Sequence, residues 1–289
     1  MMLQHSVFAR LAEMDAACII AAMSTVPPRH LQEPPLATPI LEWWAGCYDH
    51  AFVVLNPFFR VPGHAPATSA YSTVRTGPLS VGEIVDLVSS PQPPQPNRAP
   101  EDFDSLIKAT GQPVSWDEIR RAIDAPSGME FYRTVWLWTV QCERKDRNAV
   151  IADALSRHCD ATATYSPEED MLPAVMEPML GRYLAAHGLE TVTLWSEWRD
   201  KSLEVTVASL MPGNPALRLP RDKVAAVTAP GLIMCWAFDD VSALMAMTDA
   251  RLIQADPKDF FEILSVTPDM YPDVFNPQDA NPRRPGRRQ

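Results

Sequence analysis

Two groups of acidic residues follow predicted strands and could line a site. Asp239 and Asp240 end an apolar run that begins at Leu232, and Glu169 lies in an acidic triplet, residues 168–170, after a segment of strand character. Two adjacent carboxylates could hold a divalent cation with help from a third acid. Acids at a helix start are also expected for capping or for the helix dipole alone, which is the commoner explanation. We take Asp239, Asp240 and Glu169 as the candidate catalytic residues.

A histidine and two cysteines form a third group. His158 and Cys159 are adjacent, and Cys142 lies nearby in the sequence. A thiolate with an imidazole could bind zinc or form a nucleophile–base pair. Only three ligands are present, and adjacent residues at a helix end point in different directions. A partly exposed histidine near the negative end of its helix is therefore the favoured interpretation.

The motifs that carry the common mechanisms are absent from the sequence. It has no GxGxxG or GxxxxGKS/T phosphate loop, no GxSxG or HExxH motif, and no paired CxxC. Unrelated folds can assemble a site from scattered residues, so an enzyme is not excluded. We expect no cofactor and no metal, and the missing motifs favour a protein that is not an enzyme without deciding the question.

The charge of the chain disfavours nucleic acid as a partner. The 289 residues carry a formal net charge of −11, although four arginines (283, 284, 287 and 288) lie in the last seven positions. A nucleic-acid binder needs a basic face to meet phosphates. An acidic body is compatible with a basic protein partner, and high net charge also serves solubility.

Cysteine usage and hydropathy point to a reducing compartment. The five cysteines are scattered, odd in number and without a CxxC pair, and we see no signal peptide. The apolar segment 16–23 is too short to span a bilayer. We therefore expect a cytoplasmic protein that has no membrane contact.

The run that begins at Leu232 is the clearest structural signal. It is continuous, apolar and preceded by a Pro230-Gly231 break, which predicts a buried strand in the middle of a sheet. The spacing of the apolar residues that follow predicts a helix over about 241–248, capped by one of the two aspartates.

Other segments predict the remaining elements of a mixed sheet. Segments 161–165 and 191–195, joined by a helix that starts with a capping box at residues 166–169, predict a parallel βαβ unit. Residues 195–198 and 203–207 predict an antiparallel hairpin. Residues 131–140 predict a strand, with a helix as the alternative. Helices are predicted from Val7 to Met23 and over 80–89, 102–109, 115–125, 149–158 and 257–265.

The proline-rich stretch at 91–96 is the candidate boundary between two parts of the chain. We predict an N-terminal helix and connecting portion over 1–97, a main domain over 98–266, and a disordered tail over 267–289. Trp43 and Trp44 are candidate partner-binding residues. An aromatic lid over the core is the alternative interpretation.

Three blocks of the sequence carry a family resemblance. They are Pro113–Glu118, the turn Tyr165–Asp170 and Ala237–Asp240. They resemble segments of an uncharacterised bacterial protein family of unknown function, and the similarity covers roughly residues 50–266. The resemblance implies a cytoplasmic bacterial α/β protein and transfers no catalytic residue.

These observations predict an α/β (or α+β) fold, in which helices flank a mixed β-sheet that contains a βαβ unit and an antiparallel hairpin. The functional hypothesis is a non-enzymatic interaction protein, such as an immunity-type or regulatory factor that binds another protein. The alternative is a small-molecule or metal-assisted enzyme with its site near Asp239, Asp240 and Glu169. An oligomer-forming structural subunit is a third hypothesis.

Overall fold

Two antiparallel sheets and seven helices make up the described chain, which is residues 27–71 and 97–276 of the computed structural model. The strands are β1 (His50–Leu55), β2 (Phe58–Arg60), β3 (Gln112–Val114), β4 (Thr164–Tyr165), β5 (Thr191–Trp195), β6 (Ser202–Thr206), β7 (Ala226–Ala229), β8 (Leu232–Trp236), β9 (Ser242–Met247) and β10 (Ile263–Ser265). The helices are α1 (Ile40–Trp44), α2 (Phe103–Thr110), α3 (Trp116–Ala122), α4 (Met129–Thr139), α5 (Ala149–Ala161), α6 (Glu177–Ala186) and α7 (Asp249–Gln254).

Strand β8 lies at the centre of the larger sheet. The strand order is β10-β1-β9-β8-β7-β5-β6, so three strands flank β8 on each side. All five of its residues are buried. Alternate side chains of a strand point to opposite faces of a sheet. Ile233 and Cys235 accordingly enter one hydrophobic cluster, and Leu232, Met234 and Trp236 enter another. The predicted buried central strand is confirmed.

Helices cover both faces of this sheet. On one face, apolar residues of α1, α3, α4 and α5 pack against the strands. On the other face, α6 and the 3-10 turn Val207–Leu210 supply the covering residues. A continuous apolar run is expected in a strand that is covered on both sides. The result is a mixed α+β fold.

The segment 131–140 is a helix, so the strand prediction was wrong and the alternative was right. It forms α4, in which Phe131, Val135 and Trp138 are all buried. Their spacing of four and three residues places them on one helical face. Aromatic and β-branched composition had favoured a strand, and the helical period prevailed over it.

The helix predicted over 241–248 was also wrong. Residues Ser242–Met247 form β9, which pairs antiparallel with β8 and β1. All six residues of β9 are buried, so no polar alternation marks it as a strand. Asp239 and Asp240 therefore lie in the turn of a hairpin and do not cap a helix.

No parallel βαβ unit exists in the described chain. Strand β4 pairs with β2 in the three-stranded sheet, whereas β5 pairs with β6 and β7 in the larger one. The predicted capping box at 166–169 starts no helix, because α6 begins only at Glu177. Pro173 lies in this interval, and proline lacks the N–H that a continuous helix needs.

Several local predictions are confirmed. Ser115 caps α3 by accepting the N–H of Glu118, and β5 and β6 form the predicted hairpin. The helices over 102–109 and 149–158 correspond to α2 and α5. Asp256 caps only a 3-10 turn, Pro257–Asp259, and β10 follows, so the helix predicted over 257–265 was wrong.

The segments on either side of the predicted main domain contribute to its sheet and its core. Strand β1, from the predicted N-terminal portion, pairs with β9 and β10. Val274 and Phe275, from the predicted tail, are buried in the core. The predictions for Val7–Met23, residues 80–89, residues 91–96 and the terminal arginines lie outside the described residues. Among the described residues, no helix has the length and apolar character needed to cross a bilayer.

Candidate functional site

A cavity of about 740 Å³ lies at the turn between β8 and β9. Its walls come from four parts of the chain: residues 33–36, α4 and the loop after it, the β8–β9 hairpin, and residues 272–276. Ligand pockets in proteins typically have volumes of about 300–1,000 Å³, so the cavity could hold a small molecule.

The β8–β9 turn is held from both sides. Asp239 has a φ of +58°, and the Asp240 N–H donates to the Ala237 carbonyl at 3.2 Å. The carboxylate of Asp170 accepts the N–H of Asp239, and the N–H of Asp170 donates to the Asp240 carbonyl at 3.0 Å. The indole of Trp136 donates to the Asp239 carbonyl at 2.6 Å. These bonds fix both aspartates at the edge of the cavity.

Asp240 is the most perturbed acid of the cavity. Burial, together with the nearby carboxylates of Glu33 and Asp170, raises the pKa of its carboxyl to about 7. The hydroxyl of Ser242, which donates at 3.3 Å, only partly opposes this shift. No lysine or arginine of the described chain forms an ion pair with Asp240. Its carboxyl is therefore able to exchange a proton near neutral pH.

Glu33 brings a second carboxylate to the same cavity. Burial raises the pKa of Glu33, and its ion pair with Arg199, 3.0 Å long, opposes that shift. The carbonyls of Leu31 and Ser196 accept further hydrogen bonds from the Arg199 guanidinium, at 3.0 and 2.7 Å. Glu33 is thus held in place by an arginine that the surrounding backbone orients.

The thiol of Cys235 also lines this cavity, but it is a poor nucleophile. Burial raises the pKa of Cys235 well above its ordinary value, and the negative charges of Glu33 and Asp240 add to the shift. Only the thiolate is strongly nucleophilic. The arrangement therefore does not fit a cysteine nucleophile.

Aromatic rings form the apolar part of the walls. The rings of Trp136 and Phe275 lie with their centroids 6.3 Å apart, and Phe238 is 70% exposed at the rim. The guanidinium of Arg144 lies 5.6 Å from the centroid of the Trp136 ring. It also donates to Asp146 at 3.0 and 2.7 Å and to the side chain of Asn276 at 2.8 Å.

The structure brings together some of the predicted site residues. Asp239 and Asp240 line the cavity, whereas Glu169 is not among the lining residues. Trp44 is buried at 1% exposure and Trp43 is half-buried. The indoles of Trp44 and Trp43 donate to the Gln32 carbonyl, at 3.1 and 3.4 Å respectively.

The structure supports neither metal hypothesis. The side chain of Cys159 is buried in the core cluster, whereas Cys142 is half-buried. Across residues 27–71 and 97–276, no three side chains of His, Cys, Asp or Glu are grouped so that they could hold a metal ion. His158 has a lowered pKa because burial disfavours its charged form.

A smaller cavity of about 160 Å³ holds a second perturbed acid, Glu168. Its carboxylate accepts the hydroxyl of Tyr71 at 2.9 Å and the N–H of Ala174 at 3.2 Å, and burial raises its pKa to about 7. Nearby, Glu177 forms an ion pair of 2.7 Å with Lys108, and both side chains are almost fully buried.

The residues of the larger cavity that the sequence did not point to include Glu33, Trp136, Arg144 and Phe275. Trp136 lies in a segment that was assigned to a strand, and Phe275 in one that was assigned to a disordered tail. Residue 33 belongs to a proline-rich connector. No pattern in the sequence links these segments, because their proximity arises only from the packing of the sheet.

One comparison with known proteins gave a match. Residues 37–263 match the model of a family described as "Protein of unknown function (DUF2711)". The search of curated proteins and the search of solved structures found no match. The matched range includes the whole β8–β9 hairpin and α4, but not Glu33 or residues 272–276.

Proposed function

We propose that this chain, which belongs to the DUF2711 family of proteins of unknown function, binds a small molecule in the larger cavity and exchanges a proton with it through Asp240. The observation that carries the proposal is a carboxyl group with a pKa of about 7 at a cavity of about 740 Å³. Strongly perturbed acids in clefts are typical of functional sites.

The chemistry that suits this geometry is general acid–base transfer. A group with a pKa near the working pH can donate or accept a proton, and such transfer contributes roughly 10²–10⁴-fold to a rate. Asp240 is well placed for this, because the backbone of its turn is fixed by Asp170 and Trp136. Glu33 would act as a second polar contact, oriented by Arg199.

A thermal-shift screen of metabolites tests ligand binding. Ala237 lines the cavity, so Ala237→Trp should fill part of it and abolish the stabilisation that a true ligand gives the wild type. Asp153→Asn, on the exposed face of α5, is the control for a change of net charge. The proposal fails if every stabilising compound also stabilises Ala237→Trp equally.

Proton exchange is tested on the compounds that pass the screen. Isothermal titration at pH 7 in two buffers of different ionisation enthalpy measures the protons that binding takes up or releases. We expect a non-zero count for the wild type and for Asp153→Asn, and a count near zero for Asp240→Asn. Equal counts in all three proteins would remove Asp240 from the proposed role.

A protein partner is the second candidate, in the form of an immunity-type or regulatory factor of a reducing bacterial cytoplasm. Trp198, in the turn between β5 and β6, is 75% exposed, and exposed tryptophans are frequent anchors of interfaces. The described cysteines form no disulfide with one another, which suits that compartment. The acidic composition would favour a basic partner.

Affinity capture from the native host tests this candidate. A single stoichiometric partner should bind the wild type and should not bind Trp198→Ser. Trp43→Ser tests whether the surface at Trp43 and Trp44 contributes to binding. Recovery of no partner, or equal recovery with both variants, would argue against these surfaces.

A further inference from the structure

We infer that the occupant of the larger cavity is a small organic cation, an ammonium or guanidinium group on an apolar body. The inference rests on the proposed function, since it names the class of molecule that the cavity would take. Two features carry it: the excess of carboxylates in the walls, and the aromatic surfaces beside them.

The ionisable groups of the walls are mostly acidic. Among the described residues, four carboxylates, those of Glu33, Asp239, Asp240 and Asp273, line the cavity together with one basic side chain, Arg144. A cavity lined by one sign of charge attracts ligands of the opposite sign. Phosphate and carboxylate ligands would meet repulsion from these groups.

The cation that the described walls contribute does not offset this excess. The guanidinium of Arg144 is engaged by both carboxylate oxygens of Asp146 and by the side chain of Asn276. Its face lies over Trp136. Its charge is therefore matched within its own surroundings, and it offers little attraction to an anionic ligand.

The two turn aspartates lack such a partner. Glu33 pairs with Arg199, whereas neither Asp239 nor Asp240 forms an ion pair with a lysine or arginine of the described chain. Burial and neighbouring acids raise the pKa of both, although the charge of Lys223 partly opposes the shift at Asp239. A ligand cation placed beside Asp240 would supply the missing counter-charge and lower its pKa.

The remaining wall suits the apolar body of such a ligand. Trp136, Phe238, Leu244 and Phe275 all line the cavity. Aromatic faces attract cations as well as apolar groups, and the contact between Arg144 and Trp136 is an example within this site. An arylalkyl amine would place its ring among these side chains and its ammonium at Asp240.

The test uses the full-length protein and three matched probes: phenethylammonium, 2-phenylethanol and phenylacetate. They share a ring and differ mainly in charge. Titration calorimetry should show that phenethylammonium binds about tenfold or more tightly than either of the others, since a charge–charge contact of about 1.4 kcal/mol gives that ratio. Asp240→Asn should abolish the preference, and Asp153→Asn should keep it.

The pH dependence keeps the inference testable if Asp240→Asn does not fold. The carboxylates of Glu33 and Asp170 face Asp240 and favour its protonated form, whereas the Ser242 hydroxyl favours the ionised form. The nearby thiol of Cys235, whose pKa is raised well above its ordinary value, stays uncharged. Because Asp240 ionises near pH 7, phenethylammonium should bind roughly tenfold or more tightly to the wild type at pH 8.5 than at pH 5.5. The affinity for 2-phenylethanol should not follow this trend.

The outcomes separate this inference from the proposed function. If 2-phenylethanol or phenylacetate binds as tightly as the cation, and Ala237→Trp blocks that binding, the cation class is wrong and the ligand cavity stands. If none of the three probes binds at 10 mM, and the metabolite screen finds no ligand either, both are wrong.

Discussion

Replacing Glu168 with glutamine should stabilise the protein above neutral pH and have little effect in acid. Burial raises the pKa of Glu168 from 4.5 to about 7, so the folded state favours its neutral form. The unfolded chain ionises near the lower value. Stability from this group is therefore complete below about pH 4.5, declines as the pH rises, and is lost above about pH 7.

The size of the effect follows from that shift. A difference of one pKa unit corresponds to about 1.4 kcal/mol, so ionised Glu168 costs the folded state about 3 kcal/mol at pH 8. Glutamine avoids this cost because it is neutral at every pH. Its carbonyl can accept the N–H of Ala174, and its amide can donate to the hydroxyl of Tyr71, which accepts instead of donating.

Urea denaturation at pH 5 and pH 8 measures the difference. Glu168→Gln should have a free energy of unfolding about 2–3 kcal/mol above that of the wild type at pH 8 and within about 1 kcal/mol of it at pH 5. Glu190→Gln, at an exposed position, should show no such change between the two pH values. An equal difference between Glu168→Gln and the wild type at both pH values would refute the reasoning.

Substitutions at three further positions test the internal contacts of the fold. Asn56→Leu leaves the indole N–H of Trp236 without its acceptor at 2.9 Å, and urea denaturation should show a loss of about 1–3 kcal/mol. Lys108→Met leaves Glu177 buried without its cation and should cost about 3–5 kcal/mol, whereas the double variant Lys108→Met/Glu177→Gln should recover much of that loss in the same assay. Gly231→Ala forces a side chain onto a residue with φ of +75° and should lower the free energy of unfolding by about 1–2 kcal/mol.

The central part of the fold was predictable because burial leaves a mark on the sequence. Strand β8 is covered on both faces, and its unbroken apolar run reflects that directly. Strand β9 is equally buried, yet its small and flexible apolar residues fit a helical spacing as well as a strand. Its true state is determined by pairing with β8 and β1, which local pattern does not encode.

The site was predictable only where it coincides with the end of β8. Asp239 and Asp240 could be predicted as site residues because they directly follow the apolar run of β8. The groups that give the cavity its chemistry are distant in sequence: Glu33 lies more than 200 residues before them, and Trp136 about 100. Such contacts depend on the order of the strands in the sheet, so the sequence of a single segment does not predict them.

A strand follows residue 240 where the sequence predicted a helix, and this changes the role that the two aspartates can have. A strand has no N-terminal dipole for them to stabilise, and Asp170, not Asp239, satisfies the backbone of the turn. Asp240 is left near Glu33 with a pKa of about 7, which costs the folded protein at most about 4 kcal/mol at neutral pH. A bound cation would lower that pKa and recover part of this energy, so ligand binding and folding stability should be linked. A cationic ligand should therefore raise the melting temperature more at pH 8 than at pH 5.5, and a neutral ligand should not distinguish the two conditions.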